Sequence, residues 1–126
     1  NKSSSSRMTA TEYEQQARRT IAGHAAENIT YLGFGLMAEA GEVADKIAKA
    51  VRRVGIKINN NEIIFVREDS FQFTDNIVDE LGDVLWFVAM LAQHLGVSLE
   101  EVMRRNLDKL ADRQARGVIV GDGDKR

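Results

Sequence analysis

Apolar residues recur at three- and four-residue spacings along most of this chain, which predicts helices over four stretches. The first begins near Thr9, where Thr9 and Glu12 have the spacing of a capping box, and runs to about Glu27. A break follows over Asn28 to Tyr31. The second runs from about Gly33 to Arg53 and stops at Gly55, a C-terminal signal after two arginines. The third begins near Thr74 or Asp75 and ends at Gly96. The fourth starts at Ser98, again with a capping box, to Glu101, and runs to about Arg116. Between the second and third helices the pattern changes: I-K-I-N-N-N-E-I-I-F-V sets β-branched residues around an Asn-rich centre. That predicts a short β-hairpin near 56–66. The fold class is therefore all-α, a bundle of about four helices with a hairpin insert.

Composition narrows the chemistry. The 126 residues suit one domain over 8–126, preceded by a polar, serine-rich stretch at 1–7 that reads as a disordered tail or an expression remnant. A net charge of −2 offers no basic face for nucleic acid or an anionic membrane. Cysteine is absent and the two histidines, His24 and His94, are far apart, so any metal must be held mainly by oxygen. No apolar run reaches membrane-spanning length and no signal peptide precedes the fold, so the expectation is a cytoplasmic protein with neither membrane nor nucleic-acid partner.

Two segments share the pattern E-x-G-(E/D)-V: Glu39-Ala40-Gly41-Glu42-Val43 and Glu80-Leu81-Gly82-Asp83-Val84. At about 100° per residue, Leu36, Ala40, Val43, Ile47, Ala50 and Val51 form one apolar stripe on the second helix. Ile77, Leu81, Val84, Leu85, Val88, Leu91 and Leu95 form another on the third. On each helix the first acid lies at the edge of the stripe, and the second lies about 60° further round on the same side. Paired helices would therefore aim four carboxylates into one space. Two like charges 4 Å apart repel by about 4 kcal/mol at an effective dielectric of 20. The apolar run V-L-W-F-V-A-M-L-A after Asp83 implies burial, where carboxylates must be protonated, paired or metal-bound. A hard divalent cation meets that need. An E-x-x-E pair taken alone is more often a solvated helix face; the recurrence and the bordering stripes favour the metal reading. Gly41 and Gly82 each cost their helix roughly 1 kcal/mol relative to Ala, which predicts close approach of helices or ligand there.

These residues resemble the MazG-like family of all-α nucleoside triphosphate pyrophosphohydrolases, marked by E-x-x-E on one helix and E-x-x-D on the next. The surrounding L-G-F-G-L-M-A-E-A-G-E-V-A-D-K-I and D-E-L-G-D-V-L-W-F-V-A look familial too. L-G-V-S-L-E-E-V-M-R-R-N-L-D-K-L and R-G-V-I-V-G-D-G-D resemble phage-type and stand-alone bacterial members. The resemblance implies Mg²⁺-dependent hydrolysis of an NTP or dNTP to the monophosphate and pyrophosphate, in nucleotide-pool house-cleaning, with Mn²⁺ as a substitute metal. It also implies a bundle completed by homo-oligomerisation, as a homodimer or a dimer of dimers. The insert Ile56–Phe73 departs from it, being longer and more strand-like than the usual connection. Two other readings stand beside it: a phosphoribosyl-ATP pyrophosphatase-like activity, and a helical dimer that binds nucleotide or metal without turnover.

On this reading Glu39, Glu42, Glu80 and Asp83 are metal ligands, and Glu39 or Glu42 orients or deprotonates the attacking water. Asp79, four residues before Asp83, is a reserve ligand. Lys46 and Lys49 continue the acid face of the second helix. On the fourth, Asn106, Lys109 and Arg113 form one stripe, and the family often carries N-x-x-K near the nucleotide. These five are the candidate phosphate and nucleotide contacts. Phe87, one turn beyond Asp83, is the candidate stacking partner for a base, with Trp86 and Phe34 as alternatives. Arg116, Lys125 and Arg126 are placed to close over the site as the tail orders. His24 is read as a core or pocket residue without a catalytic role.

Overall fold

The computed structural model describes residues 7–23 and 28–117. His24, Lys125 and Arg126 lie outside them. The described elements are four helices, α1 (Ala10–Arg18), α2 (Ile29–Arg52), α3 (Ser70–His94) and α4 (Leu99–Ala115), with a largely exposed two-stranded hairpin, β1 (Ile56–Asn59) and β2 (Glu62–Phe65), between α2 and α3. The all-α class and the hairpin insert are as the pattern predicts. No single described helix is long and apolar enough to cross a membrane.

The caps explain most boundaries. Thr9 and Glu12 form the complete capping box of α1. On α4 only half of the expected box forms: Ser98 accepts from the Glu101 N–H, while the Glu101 carboxylate turns to Arg104 and Arg105. The expected break at 28–31 is only a cap, since the Asn28 side chain accepts from the Tyr31 N–H and the helix runs from Ile29. α3 starts earlier than predicted because Asp69 caps it, accepting from the Phe71 and Gln72 N–H groups. α1 stops at Arg18, well short of Glu27. The Thr20 hydroxyl donates to the Ala17 carbonyl and accepts from the indole N–H of Trp86 at 2.7 Å, tying that end to α3.

At the hairpin, Asn59 pairs with Glu62 across Asn60 and Asn61, both with positive φ, as a two-residue type I′ turn requires. The end of α2 differs from expectation. The left-handed residue is Val54, at φ 58°, not Gly55. Gly55 is close to another segment: a Cβ there would meet the Glu68 side chain, which would have to shift. The Gly55 carbonyl accepts from the N–H groups of Val66, Arg67 and Glu68, which closes the base of the hairpin.

Two small cores result. Ala17, Leu32, Phe87, Ala89, Met90 and Leu99 form one, shared by all four helices. Ala50, Ile56 and Phe73 form the other, beneath the hairpin. Leu32 and Phe87 belong to the first core and Ala50 and Phe73 to the second, so α2 and α3 run antiparallel. Their middle turns, which carry the acids, lie between the cores. The predicted stripes are only partly buried: Leu81, Leu85 and Leu95 of α3 and Ile47 and Val51 of α2 remain exposed. The core instead takes Phe87, Ala89, Met90 and Ala92, because only the C-terminal half of α3 is flanked by α1 and α4 as well as α2.

Glu14 shows how α1 is locked. It is the one buried charged residue among those described, and its Oε2 accepts from the Leu99 N–H at 3.3 Å. The first-turn N–H groups of α4 have no partner within the helix, so a carboxylate there satisfies a donor and complements the helix dipole. Glu14→Ala strands that donor and is expected to lower unfolding free energy by ~1–3 kcal/mol. Urea denaturation measures it; an unchanged midpoint would remove Glu14 from the set of stabilising contacts.

Candidate metal centre and nucleotide site

Glu39 comes from the middle of α2, and Glu80 and Asp83 come from the middle of α3. One carboxylate oxygen from each lies within 4.8 Å of the others. Glu39 and Glu80 are partly buried and Asp83 is exposed, so the cluster opens to solvent on the Asp83 side. Burial pushes the Glu39 carboxyl above the ordinary carboxylate range. The charges of Asp83, Glu80 and Glu42, with a hydrogen bond to Glu80, push it further the same way. A carboxyl that resists ionisation because it is partly buried and faces other carboxylates is a place where a cation is favoured.

The three oxygens fit a hard divalent cation, which takes carboxylate oxygens and keeps other positions for water or phosphate. The predicted quartet therefore appears within the chain as a triad. Glu42 sits a turn further along α2, exposed and outside the cluster, though close enough for its charge to act on Glu39. Asp79 is exposed and also outside the cluster.

The cations divide into two places. Lys46 reaches across from α2 to Glu80, with Nζ 3.6 Å from a carboxylate oxygen. Lys49 instead pairs with Asp45 on its own helix at 2.8 Å. Asn106 and Lys109 line a different groove, with Ala92, Leu95, Val102 and Arg105. Ala92 is nine residues beyond Asp83, or about 14 Å along α3 at 1.5 Å per residue. The same chain's acids and its Asn106–Lys109 stripe are thus not brought together. Arg113 is half-buried on α4, and Arg116 pairs with Asp112 at 2.9 Å.

The aromatic candidates are also redistributed. Phe87 is buried, its ring centroid 5.6 Å from Tyr31 and 4.9 Å from Trp86. The Trp86 indole is held by Thr20. Within the chain both serve packing, and Phe34 is exposed on α2. The glycines carry a correction. A Cβ at Gly41 or Gly82 would meet no atom within 4 Å, so no close approach inside the chain accounts for them. Close approach occurs at Gly35, where a Cβ would stand 2.2 Å from the Phe87 ring. The helices touch most tightly at the core and leave room beside the acids. Sequence reasoning passed over Tyr13, whose phenol is raised in pKa by burial and then by the nearby Asp83 charge. Its place opposite Asp83 depends on how α1 docks, which no local pattern encodes.

Comparison with known proteins accords with this geometry. The chain is 42% identical over 100 residues to the gene 37 protein of Mycobacterium phage L5, covering 79% of this chain and 78% of that protein. It is 37% identical over 82 residues to the uncharacterized protein YvdC of Bacillus subtilis (strain 168), covering 65% of this chain and 71% of that one. No solved structure gave a significant match. The family model for the MazG nucleotide pyrophosphohydrolase domain matches residues 28–118, a span that holds both carboxylate helices and the hairpin between them, and the chain belongs to that family.

Proposed function

We propose that this protein hydrolyses nucleoside or deoxynucleoside triphosphates to the monophosphate and pyrophosphate, with Mg²⁺ as its metal and Mn²⁺ as a substitute. The observation that carries this reading is the Glu39–Glu80–Asp83 cluster on two antiparallel helices in a chain of this family. When bound, the cation supplies positive charge to phosphate oxygens and lowers the pKa of water. Glu39, Glu80 and Asp83 would hold it, with Glu42 as the further ligand. Glu39 or Glu42 takes the proton as water oxygen bonds to the α-phosphorus. The bond from that phosphorus to the bridging oxygen breaks, and pyrophosphate leaves with the electron pair. Lys46, now held against Glu80, would be free to pair with the phosphates once the acids had a cation to neutralise them.

The role is house-cleaning of nucleotide pools in the cytoplasm, with no nucleic-acid or membrane partner. The working form is a homodimer or a dimer of dimers. Phe34, Met37, Phe71, Leu81 and Leu107 are all exposed, and a second copy would cover such side chains. A second copy in the assembly is also the source from which Asn106, Lys109 and Arg113 reach the phosphates.

The test is a panel of NTPs and dNTPs with Mg²⁺ or Mn²⁺, with products identified. Pyrophosphate and monophosphate are expected, and Glu42→Gln is expected to slow their release. Absence of turnover across the panel, or release of orthophosphate, would sink the reading. Phosphoribosyl-ATP in the same panel separates that related activity.

A further inference from the structure

The hairpin of β1 and β2 takes no part in the metal centre, and its own small core does not account for its sequence. By register Ile56 faces Phe65 and Ile58 faces Ile63, so these side chains share one face. The root of that face is covered: Ile56 is buried, and the Phe65 ring meets Phe73 edge-on with centroids 5.7 Å apart. Towards the tip the same face is open, and Ile58 and Ile63 are exposed. Ile64, on the opposite face, is exposed as well. Every residue of β2 is exposed, and β1 is the one described element that packs extensively along it. A lone two-stranded hairpin is marginal in water, and an apolar strand edge is a template for a further strand.

Hydrogen-bond geometry fixes which groups that edge offers. In a hairpin closed by a two-residue turn the flanking residues, Asn59 and Glu62, exchange ladder bonds. Lys57 and Ile64 do so next, and beyond them the Val66 N–H donates to the Gly55 carbonyl. Ile63 and Phe65 therefore turn their N–H and C=O groups outward from β2. We propose that this edge pairs antiparallel with the same edge of a second copy, about a twofold axis at Ile64, joining the two hairpins into one sheet. The proposal rests on the assembly read above, of which it names one contact, and not on the catalytic reading. At this register Ile63 of one copy and Phe65 of the other exchange hydrogen bonds on both sides of the axis. Ile64 faces its own counterpart as a non-hydrogen-bonded pair. The open Ile58–Ile63 row then continues into Phe65 and Ile56 of the second copy, so each overhang abuts the other hairpin's covered root. Glu62 faces Val66 of the second copy and not another carboxylate. The equivalent twofold on β1 sets Lys57 against Lys57, and like charges directly opposite are destabilising. Pairing β1 with β2 of a second copy leaves edges that propagate, whereas the β2 twofold closes.

The chain has no cysteine, so disulfide trapping reads the seam without background. Cα atoms of a non-hydrogen-bonded antiparallel pair stand about 4.5 Å apart, within the span of a disulfide. Ile64→Cys is therefore expected to cross-link into a dimer on mild oxidation of dilute protein, and Lys57→Cys to remain a monomer on a denaturing gel. Both positions are exposed, so neither change touches a core. In sedimentation, Ile64→Lys should raise the dissociation constant of the assembly by about tenfold or more. Hydrogen exchange should find the Ile63 and Phe65 amides protected in the assembled wild type and released by Ile64→Lys, with the Ile58 amide fast in both. Suppose the wild type assembles but Ile64→Cys does not cross-link, or Lys57→Cys does so equally, or Ile64→Lys assembles as tightly. The seam is then wrong and the assembly reading stands. If the wild type is a monomer at every concentration, both fall, and the substrate panel decides the catalytic reading by itself.

Discussion

Asp83→Asn is expected to lower turnover by about a thousandfold at saturating nucleotide and Mg²⁺, some 4 kcal/mol of transition-state stabilisation. The same substitution should make the metal-free protein more stable. Three carboxylate oxygens within 4.8 Å of one another repel. Each pair at that separation costs between about 1 kcal/mol at the dielectric of water and about 3.5 kcal/mol at an effective value of 20. Asp83 is exposed, so the lower figure governs its share. Thermal melts in chelator should thus place Asp83→Asn above the wild type, and melts in Mg²⁺ should reverse the order, because only the wild type gains fully from the ion. The pH dependence follows from Glu39, whose carboxyl is raised by burial and by its charged neighbours. An acid that holds its proton more tightly when folded favours folding below the ordinary carboxylate range. That contribution disappears as pH rises through the raised value. Without metal, then, the wild type should gain stability relative to Glu39→Gln as pH falls through the raised value into the ordinary carboxylate range, and gain nothing further from this group below it. A variant with near-normal turnover, or a wild-type melting point indifferent to Mg²⁺, would dissociate these acids from metal and catalysis alike.

What the sequence made legible was whatever depends on neighbours in the chain. The Thr9 box, the Ser98 cap and the Asn-rich hairpin turn are local signals present in the fold, and of the two acid pairs Glu39, Glu80 and Asp83 come together. Errors arose where one element's fate is decided by another. Gly55 looks like a helix stop from its position, yet the left-handed turn falls on Val54 and Gly55 lies against the returning Glu68 side chain. The helical wheel places Glu42 with the other acids; within the chain Glu39 alone of that pair joins Glu80 and Asp83 in the cluster. Phe87 follows Asp83 by one turn and so looked like a base contact. Its burial goes with Gly35 of another helix, and within the chain it is Gly35, not Gly41 or Gly82, at which two helices approach closely.

Gly35→Ala should therefore destabilise the fold although helix propensity argues the opposite. Ala is favoured over Gly in a helix by roughly 1 kcal/mol, so a substitution without a clash would stabilise α2. Here the added carbon would stand 2.2 to 2.9 Å from three atoms of the Phe87 ring. The ring cannot simply rotate away, because Tyr31 and Trp86 flank it and it is 8% exposed. The helices must separate or the ring must leave its well, a strain of about 3 kcal/mol or more, which exceeds the propensity gain. Urea unfolding should show a net loss near 2 kcal/mol by that difference. Gly41→Ala on the same helix, where the new carbon meets nothing, should instead gain up to about 1 kcal/mol. Adding Phe87→Leu to Gly35→Ala should recover part of the loss, so that the double variant falls short of the sum of the singles. The effect should also reach the site. Gly35 lies one turn before Glu39, so forcing α2 away from α3 at Phe87 draws Glu39 from Glu80 and Asp83, and Mn²⁺ affinity should fall with stability. If Gly35→Ala is as stable as the wild type, the tight α2–α3 contact at Phe87 is not what fixes the spacing of the acids.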